Sequence, residues 1–298
     1  MLRPKSANCN EHHVIPNMKR KPGRLLNSER FPRCARYNPE WVIANASGGA
    51  NSLWLIEWLC EALELAPGMR VLDLGCGRAS SSIFLANEFG VQVWAADLWI
   101  SAAENSRRLR DAGVDGSVFP LHVDARCLPF AGEFFDTIVC VDSFPYFGTD
   151  DLYLNYLAHF VKPGGALGIV GAGLVRELQG TVPAHLRKVW SQDFYAFHSA
   201  SWWRRHWQRT GIVEMERADT LTDGWRLWLQ WQLAVAPKNA TEIKALEADH
   251  GRNLGYVRVI GRRRKAVQLE EYCWPDNLRS MPPRYTKKPL FVTRSKSL

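Results

Sequence analysis

Apolar runs and helical spacings alternate along the first half of the chain. Continuous apolar runs predict strands at 70–74, 91–97, 117–124, 135–142 and 166–171. Apolar residues three or four positions apart predict a helix at 51–65, and further helices are predicted at 80–88 and 149–161. The capping-box spacing of Ser101 and Glu104 predicts a helix from Ser101 onward. Five strands that alternate with helices are typical of an α/β fold with a doubly wound, Rossmann-like, mostly parallel sheet. Such a sheet binds ligands at the carboxyl ends of its strands.

The alternation changes after residue 173. An irregular insertion is expected at about 174–200, then a helix, a strand, a helical insertion at about 222–250 and a last strand at 255–264. Tryptophans cluster in these late segments at 202, 203, 207, 225, 228 and 231. Each could be an ordinary core residue, but together they predict an aromatic lid over an apolar or cationic substrate. Trp228 is the candidate from this group for the substrate pocket.

Charge divides the 298 residues into three parts. Residues 1–40 hold nine Lys and Arg against three acids, and residues 251–298 hold twelve against three. Residues 41–250 hold seventeen against twenty-four, so the body is acidic although the whole chain is +8. We expect one folded domain at 41–265, between a flexible basic extension at 1–40 and a disordered basic tail at 266–298. The tails could contact an anionic surface.

Cysteine usage and hydropathy bear on the compartment. Seven cysteines without CxxC pairs predict neither a disulfide framework nor a zinc site, and no metal is expected. The first residues lack the apolar stretch of a secretory signal. The apolar run ALGIVGAGLV has about half the length that a bilayer span needs. These features predict a cytoplasmic protein without integral membrane contact.

The turn after the first predicted strand carries the strongest chemical signal. The dinucleotide fingerprint needs three glycines, whereas this turn has Gly75 and Gly77 followed by Ser80. Asp73, just before the turn, would repel a pyrophosphate and attract an ammonium or sulfonium ion. Asp97, twenty residues after Gly77, is placed to accept the hydroxyls of a ribose. A cationic ribose-containing ligand without phosphate, S-adenosylmethionine, fits both acids.

The sequence resembles the class I S-adenosylmethionine-dependent methyltransferases over about residues 50–171. VLDLGCGRA is similar to their first motif, and VDARCLPF, FFDTIVCVDSFPYFG and LAHFVKPGG are similar to later motifs of the small-molecule branch, including quinone and sterol methyltransferases. The resemblance implies that the methionine moiety of the cofactor contacts Gly75, Cys76 and Gly77, and that its ribose contacts Asp97. It further implies that the adenine contacts Leu98, Trp99, Asp124 and Ala125. Asp142 would close the pocket.

The loop SFPYFG bears on the reaction. It resembles the FEHFG-type loop of the cyclopropane fatty acid synthases, but their glutamate falls on Pro145 and their histidine on Tyr146. Cyclopropanation needs a base to remove a proton from the transferred methyl, so plain methyl transfer to a small-molecule acceptor is the favoured function. If a base is used, Tyr146 is the first candidate, followed by His198 and His206.

Three alternatives stay open at this point. SFPY half resembles the loop of amino-group nucleic-acid methyltransferases, although the acidic body opposes nucleic-acid binding. A nicotinamide oxidoreductase is opposed by the missing third glycine. A non-catalytic cofactor-binding protein whose tails bind an anionic partner is not excluded, and neither the acceptor nor the oligomeric state follows from the sequence.

Overall fold

The computed structural model of the chain describes Leu26 and residues 28–269. Seven strands in this part are β1 Arg70–Leu74, β2 Gln92–Asp97, β3 Val118–His122, β4 Phe135–Val141, β5 Val161–Leu174, β6 Val213–Thr220 and β7 Leu254–Arg263. Its α-helices are α1 Pro39–Ala44, α2 Ser52–Cys60, α3 Ser80–Phe89, α4 Ala102–Asp111, α5 Tyr153–Ala158, α6 Ala200–Gln208, α7 Gly224–Val235 and α8 Ala240–Asp249. Short 3-10 helices occupy Cys34–Arg36, Phe144–Tyr146 and Gln192–Ala196.

The strands form one sheet with the order β3-β2-β1-β4-β5-β7-β6. The five strands from β3 to β5 in this order pair in parallel, and β7 pairs antiparallel with both β5 and β6. The order reverses between β1 and β4, which is the switch point where such sheets bind ligands. The predicted doubly wound, mostly parallel α/β sheet is confirmed.

Alternate residues of the central strands contribute to two cores, one on each face of the sheet. Val71 and Val139 belong to the core formed with α2, α3, α7 and α8. Leu72 and Ile138 belong to the core formed with α5 and α6. Because both faces are covered, the strands are apolar at nearly every position, and the sequence therefore shows continuous apolar runs rather than alternation.

Local capping explains where several helices begin. The Ser101 hydroxyl accepts a hydrogen bond from the N–H of Glu104 at 3.2 Å, as the spacing of these two residues predicts. The Asn51 side chain caps α2 in the same way, accepting from the N–H of Leu53 at 3.1 Å. The helix predicted at 149–161 is shorter, Tyr153–Ala158, because β5 already begins at Val161 and pairs there with Phe135 of β4.

Residues 28–40 fall within the predicted flexible extension at 1–40, but in the structure they are packed against the domain. Phe31 is fully buried and stacks on Trp54, with ring centroids 6.1 Å apart. The buried Glu57 carboxylate accepts hydrogen bonds from the N–H groups of Arg33 and Cys34. This segment therefore packs on α2, and the expectation that it is flexible is wrong for these residues. Residues 1–25 and most of the predicted basic tail lie outside the described residues.

The late tryptophans are divided between core and cavity. Trp203, Trp207 and Trp231 are fully buried. The Trp231 indole also donates a hydrogen bond to the Gly49 carbonyl at 2.9 Å. These three are core residues rather than parts of a lid. Within the described residues, no helix is both long and apolar enough to cross a bilayer.

Candidate functional site

A cavity of about 270 Å³ opens at the carboxyl ends of β1, β2 and β4. Its walls are the turns that follow these strands, together with residues 47–50, which precede α2. Of the cofactor contacts predicted from the sequence, it is lined by Gly75, Cys76, Gly77, Asp97, Leu98, Trp99, Asp124, Ala125 and Asp142. The structure thus brings these predicted residues together, while their contact with a cofactor stays a prediction.

The turn between β1 and α3 requires glycine at two positions. Gly75 and Gly77 have φ values of +75° and +54°, in the left-handed region that disfavours residues with a Cβ. A Cβ on Gly75 would lie 2.1 Å from the Ser143 hydroxyl oxygen, and a Cβ on Gly77 would lie 2.4 Å from that of Ser47. The turn is therefore packed closely between the segment before α2 and the turn after β4.

Hydrogen bonds fix this turn to the end of β2. The N–H groups of Gly75 and Cys76 donate to the Ala96 carbonyl at 2.8 and 3.1 Å. The Gly77 N–H donates to Asp97 Oδ2 at 2.8 Å. Because these bonds join β1 and β2 beyond their ends, the cavity wall is held in place by two strands at once.

Asp97 supports two turns with one carboxylate. Besides the bond to Gly77, its Oδ1 accepts from the N–H groups of Trp99 and Ile100 at 2.8 Å each. An ionised carboxylate offers about four acceptor positions, of which these bonds use three. About one acceptor position of Asp97 is therefore left for the predicted contact with the hydroxyls of a ribose.

Three large side chains lie exposed at the mouth of the cavity. Leu98, Trp99 and Tyr146 are 49%, 77% and 52% exposed. The rings of Trp99 and Tyr146 approach to 6.1 Å between centroids. Apolar side chains that are exposed beside a cavity are suited to covering a flat apolar ring, as predicted for adenine.

Asp124 is held by a neighbour that the sequence analysis did not consider. Arg126 donates to both carboxylate oxygens, at 3.0 and 2.7 Å, and its N–H donates at 2.9 Å. The Arg126 guanidinium lowers the pKa of the Asp124 carboxyl. The pair lies at the end of the cavity near β3, where Asp124 keeps about one free acceptor position.

The charge of the cavity discriminates between ligand classes. Asp97, Asp124 and Asp142 line it, and among its lining residues in the described part of the chain the one cation, Arg126, is already paired with Asp124. The cavity is therefore negative. Such a cavity opposes a pyrophosphate and favours a ligand that carries a positive charge.

Asp73 does not line this cavity, contrary to the prediction. It is fully buried beneath the turn, where the hydroxyls of Ser81 and Ser82 donate to its Oδ2 at 2.6 Å each. Its Oδ1 has no partner among the described residues. Burial raises the pKa of this carboxyl to about 6. Asp73 therefore supports the start of α3. The carboxylates that can attract a cation into the cavity are the three that line it.

A second cavity, of about 510 Å³, adjoins the first. The two share Gly49, Ala50, Asp142 and Tyr146. Trp228 lines the second cavity, so both predicted substrate-pocket residues, Tyr146 and Trp228, lie there. The predicted lid segments at 174–200 and 222–250 both contribute walls.

Asp142 lies at the junction of the two cavities. Its φ of +56° turns the chain sharply at the end of β4. Its Oδ2 accepts from the Ala50 N–H at 2.7 Å, and its Oδ1 accepts from the Ala172 N–H at 2.9 Å. Burial raises the pKa of this carboxyl. The carboxylate thus joins the segment before α2 to β5 at the point where the cavities meet.

The histidine candidates lie away from both cavities. His198 stacks on Trp202 at 3.6 Å between ring centroids, and its Nδ1 lies 3.1 Å from the Glu177 carboxylate. His206 is buried against the Gly148 carbonyl at 3.2 Å. Neither lines a cavity with Tyr146. The prediction of His198 as a catalytic residue is therefore not supported by its position, because its ring packs within the aromatic cluster of α6.

Sequence reasoning missed the segment 47–50 and Ser143. Ser47 and Ser143 hold the glycine turn, and Gly49 and Ala50 border both cavities. The signal was the pair Gly48-Gly49, which is separated by one residue from the helix cap Asn51 and marks a turn with close backbone approach. Within Leu26 and residues 28–269, no group of three or more side chains suited to holding a metal ion occurs.

The sheet order and the glycine turn at its switch point are those of the class I methyltransferase fold. The geranyl diphosphate C-methyltransferase of Streptomyces coelicolor, solved with S-adenosylhomocysteine, superposes with a TM-score of 0.59 at 19% identity, over 70% of this chain and 76% of that one. Residues 71–165 match the family described as a methyltransferase domain. The chain therefore has the class I methyltransferase fold, and residues 71–165 are similar to a methyltransferase domain, as the motifs predict.

Two curated relatives match part of the chain. The methyltransferase GfsG of Streptomyces halstedii is 33% identical over 116 residues, which are 39% of this chain and 42% of that protein. The ubiquinone/menaquinone biosynthesis C-methyltransferase UbiE of Vibrio campbellii is 33% identical over 155 residues, 51% of this chain and 56% of that protein. The chain thus spans about half the length of these relatives.

Proposed function

We propose that the protein transfers a methyl group from S-adenosylmethionine to a small-molecule acceptor. The observation that carries this proposal is the junction of two cavities at Gly49, Ala50, Asp142 and Tyr146. One cavity has the glycine turn and the carboxylates expected for the methyl donor, and the other has the room for a second molecule. A binding protein for a single ligand would not need the second cavity.

The residues of the first cavity fit the proposed donor. Gly75 and Gly77 let the turn pack against Ser143 and Ser47, because a Cβ on either glycine would collide with these serines. The negative walls favour a sulfonium, and the exposed rim of Leu98 and Trp99 suits adenine. S-adenosylmethionine supplies a methyl group on a positively charged sulfur. The chain's own residues hold this donor, face the acceptor toward it and exclude water.

Tyr146 is the proposed positioning residue for the acceptor. It borders both cavities, and its hydroxyl makes no hydrogen bond to another described residue. Burial raises the pKa of Tyr146, so the hydroxyl stays protonated near neutral pH and can donate or accept a hydrogen bond. Methyl transfer removes positive charge from sulfur, and correct placement supplies much of its rate without a strong base.

Calorimetry tests the donor, and mass spectrometry tests the transfer. We expect S-adenosylmethionine and S-adenosylhomocysteine to bind and NAD not to bind. Cell extract incubated with the protein and deuteromethyl-labelled donor should yield a labelled small molecule. Absence of donor binding, or binding of NAD instead, would overturn the proposal, and labelled nucleic acid would favour the alternative acceptor class.

Tyr146→Phe tests the role of the hydroxyl. Loss of one hydrogen bond in the reacting complex should lower kcat/KM by about tenfold, while the affinity for S-adenosylhomocysteine stays unchanged. The matched control is Tyr195→Phe, because Tyr195 is 71% exposed and lines neither cavity.

A cytoplasmic location of the protein stays a prediction beside this function.

A further inference from the structure

Most walls of the second cavity come from the part of the chain that follows residue 173. The segment 174–200 contributes Lys188, Asp193, Phe194 and Phe197, and α7 and the start of α8 contribute Trp228 and Glu242. All of these lie beyond residues 71–165, which match the methyltransferase family. Most of the residues that would contact an acceptor therefore lie outside the region that is similar to the methyltransferase family.

The cavity carries more negative than positive groups. Asp142, Asp193 and Glu242 line it, and Lys188 is the one cation among its lining residues in the described ranges. Asp193 and Tyr146 line the same cavity, and the Asp193 charge adds to burial in raising the pKa of Tyr146. With Lys188 counted, the cavity retains an excess of two negative charges at neutral pH when its carboxyl groups are ionised.

The Glu242 carboxylate is not neutralised by its partners. Its Oε1 accepts from the Trp228 indole N–H at 3.0 Å, and its Oε2 accepts from the Asn239 amide at 2.8 Å. Both donors are neutral, so they orient the carboxylate without cancelling its charge. Burial raises the pKa of Glu242, as it does for Asp142. A cation bound here would relieve that cost of desolvation.

Aromatic rings complete the cavity. Phe194 and Phe197 contact each other at 4.7 Å between centroids, and both contact Trp228, at 6.4 and 6.3 Å. Tyr146 also lines the cavity, where it meets the first one. Aromatic rings combined with carboxylates are the usual surroundings of a bound ammonium group, because the ring faces are negative.

We propose that the second cavity binds the methyl acceptor as a cation, an amine with an apolar body, and that the nitrogen is methylated. This inference rests on the proposed function. The bound ammonium loses one proton to the exposed Asp193 carboxylate, which returns it to solvent. The freed nitrogen lone pair forms the new N–C bond, and the electron pair of the S–C bond stays on sulfur. The product is an N-methylammonium ion and neutral S-adenosylhomocysteine.

Binding of a charged probe and its neutral isostere tests the inference. Choline and 3,3-dimethyl-1-butanol have the same shape but differ in charge. Each is titrated by calorimetry into protein saturated with S-adenosylhomocysteine. We expect choline to bind at least about tenfold more tightly. Equal affinities, a preference for the neutral alcohol, or no binding of choline would overturn the inference.

Variants identify the carboxylates responsible. Glu242→Gln and Asp193→Asn should each reduce the preference for choline by about tenfold, the scale of one partly buried charge contact. Lys188→Met should increase it, since it removes the opposing cation. Glu247→Gln is the matched control, because Glu247 is an exposed residue of the same helix as Glu242 and lines neither cavity.

The same experiment separates the two proposals. Binding of S-adenosylhomocysteine by every variant shows that the variants fold and that the first cavity is intact. If S-adenosylhomocysteine binds and the preference for choline is absent, the acceptor class is wrong while the proposed methyl transfer stands. If S-adenosylhomocysteine does not bind to the unmodified protein, the proposed function itself fails.

Discussion

Replacing Asp73 with Asn should remove the pH dependence that this buried carboxyl imposes on the stability of the fold. Asp73 accepts from Ser81 and Ser82 through one oxygen, and its other oxygen has no partner among the described residues. An Asn at this position keeps the shape and one acceptor but cannot ionise. The variant therefore isolates the cost of burying the charge.

The magnitude follows from the pKa of Asp73. Burial raises the pKa from 3.8 to about 6 in the folded protein. The folded protein thus holds a proton that the unfolded chain has already lost, so this contribution to stability is complete below pH 3.8 and is lost as the pH rises through 6. At about 1.4 kcal/mol per pKa unit, the lost stability is about 3 kcal/mol.

Urea unfolding from about pH 4 to about pH 7 measures this difference. The free energy of unfolding of Asp73→Asn should rise by about 3 kcal/mol relative to the unmodified protein across that range. Asp124→Asn is an opposite control, because Arg126 lowers the pKa of Asp124 and that carboxyl loses its contribution only as the pH falls. A pH-independent difference between Asp73→Asn and the unmodified protein would refute the reasoning.

Two further substitutions test the site and its walls. Gly77→Ala should weaken S-adenosylhomocysteine binding by about tenfold, because its Cβ meets Ser47, whereas Gly68→Ala, with positive φ but open space, should not alter affinity in calorimetry. Equal losses of affinity in the two variants would show that backbone strain, and not the contact with Ser47, weakens binding. Trp228→Ala should lower the free energy of unfolding by about 3 kcal/mol or more, since the ring is buried against Tyr256 and Phe194. In the same denaturation experiment, Trp225→Ala should lower the free energy of unfolding by less, because Trp225 is only half-buried. A larger loss for Trp225→Ala than for Trp228→Ala would show that Trp228 is only a loosely held lid.

The glycine turn illustrates what local sequence can predict. The spacing of Gly75 and Gly77 after an apolar strand indicated a turn with close backbone approach, and the structure places both at positive φ. The acid at the end of the next strand, Asp97, was likewise found by its position in the chain. Strand and helix periods are local properties, so the doubly wound sheet followed from them.

The predicted roles of Asp73 and His198 illustrate the limit of this reasoning. Position along a strand placed Asp73 near the ligand, but whether its side chain points into the cavity depends on the packing of α3 over β1. The sequence does not show how the His198 ring is packed, and in the structure this ring stacks on Trp202. The direction of a side chain is decided by the neighbours that the fold supplies.

The sequence by itself determined the class of fold, the glycine turn and the acidic character of the ligand site, because each is encoded by residues close together in the chain. Only the tertiary structure decided how the cavities meet. The Ala50 N–H reaches Asp142 across 92 residues, and the Trp231 indole reaches Gly49 across 182. Contacts between such distant segments depend on the packing of the whole sheet with its helices, and no local pattern of hydrophobic and polar residues specifies them.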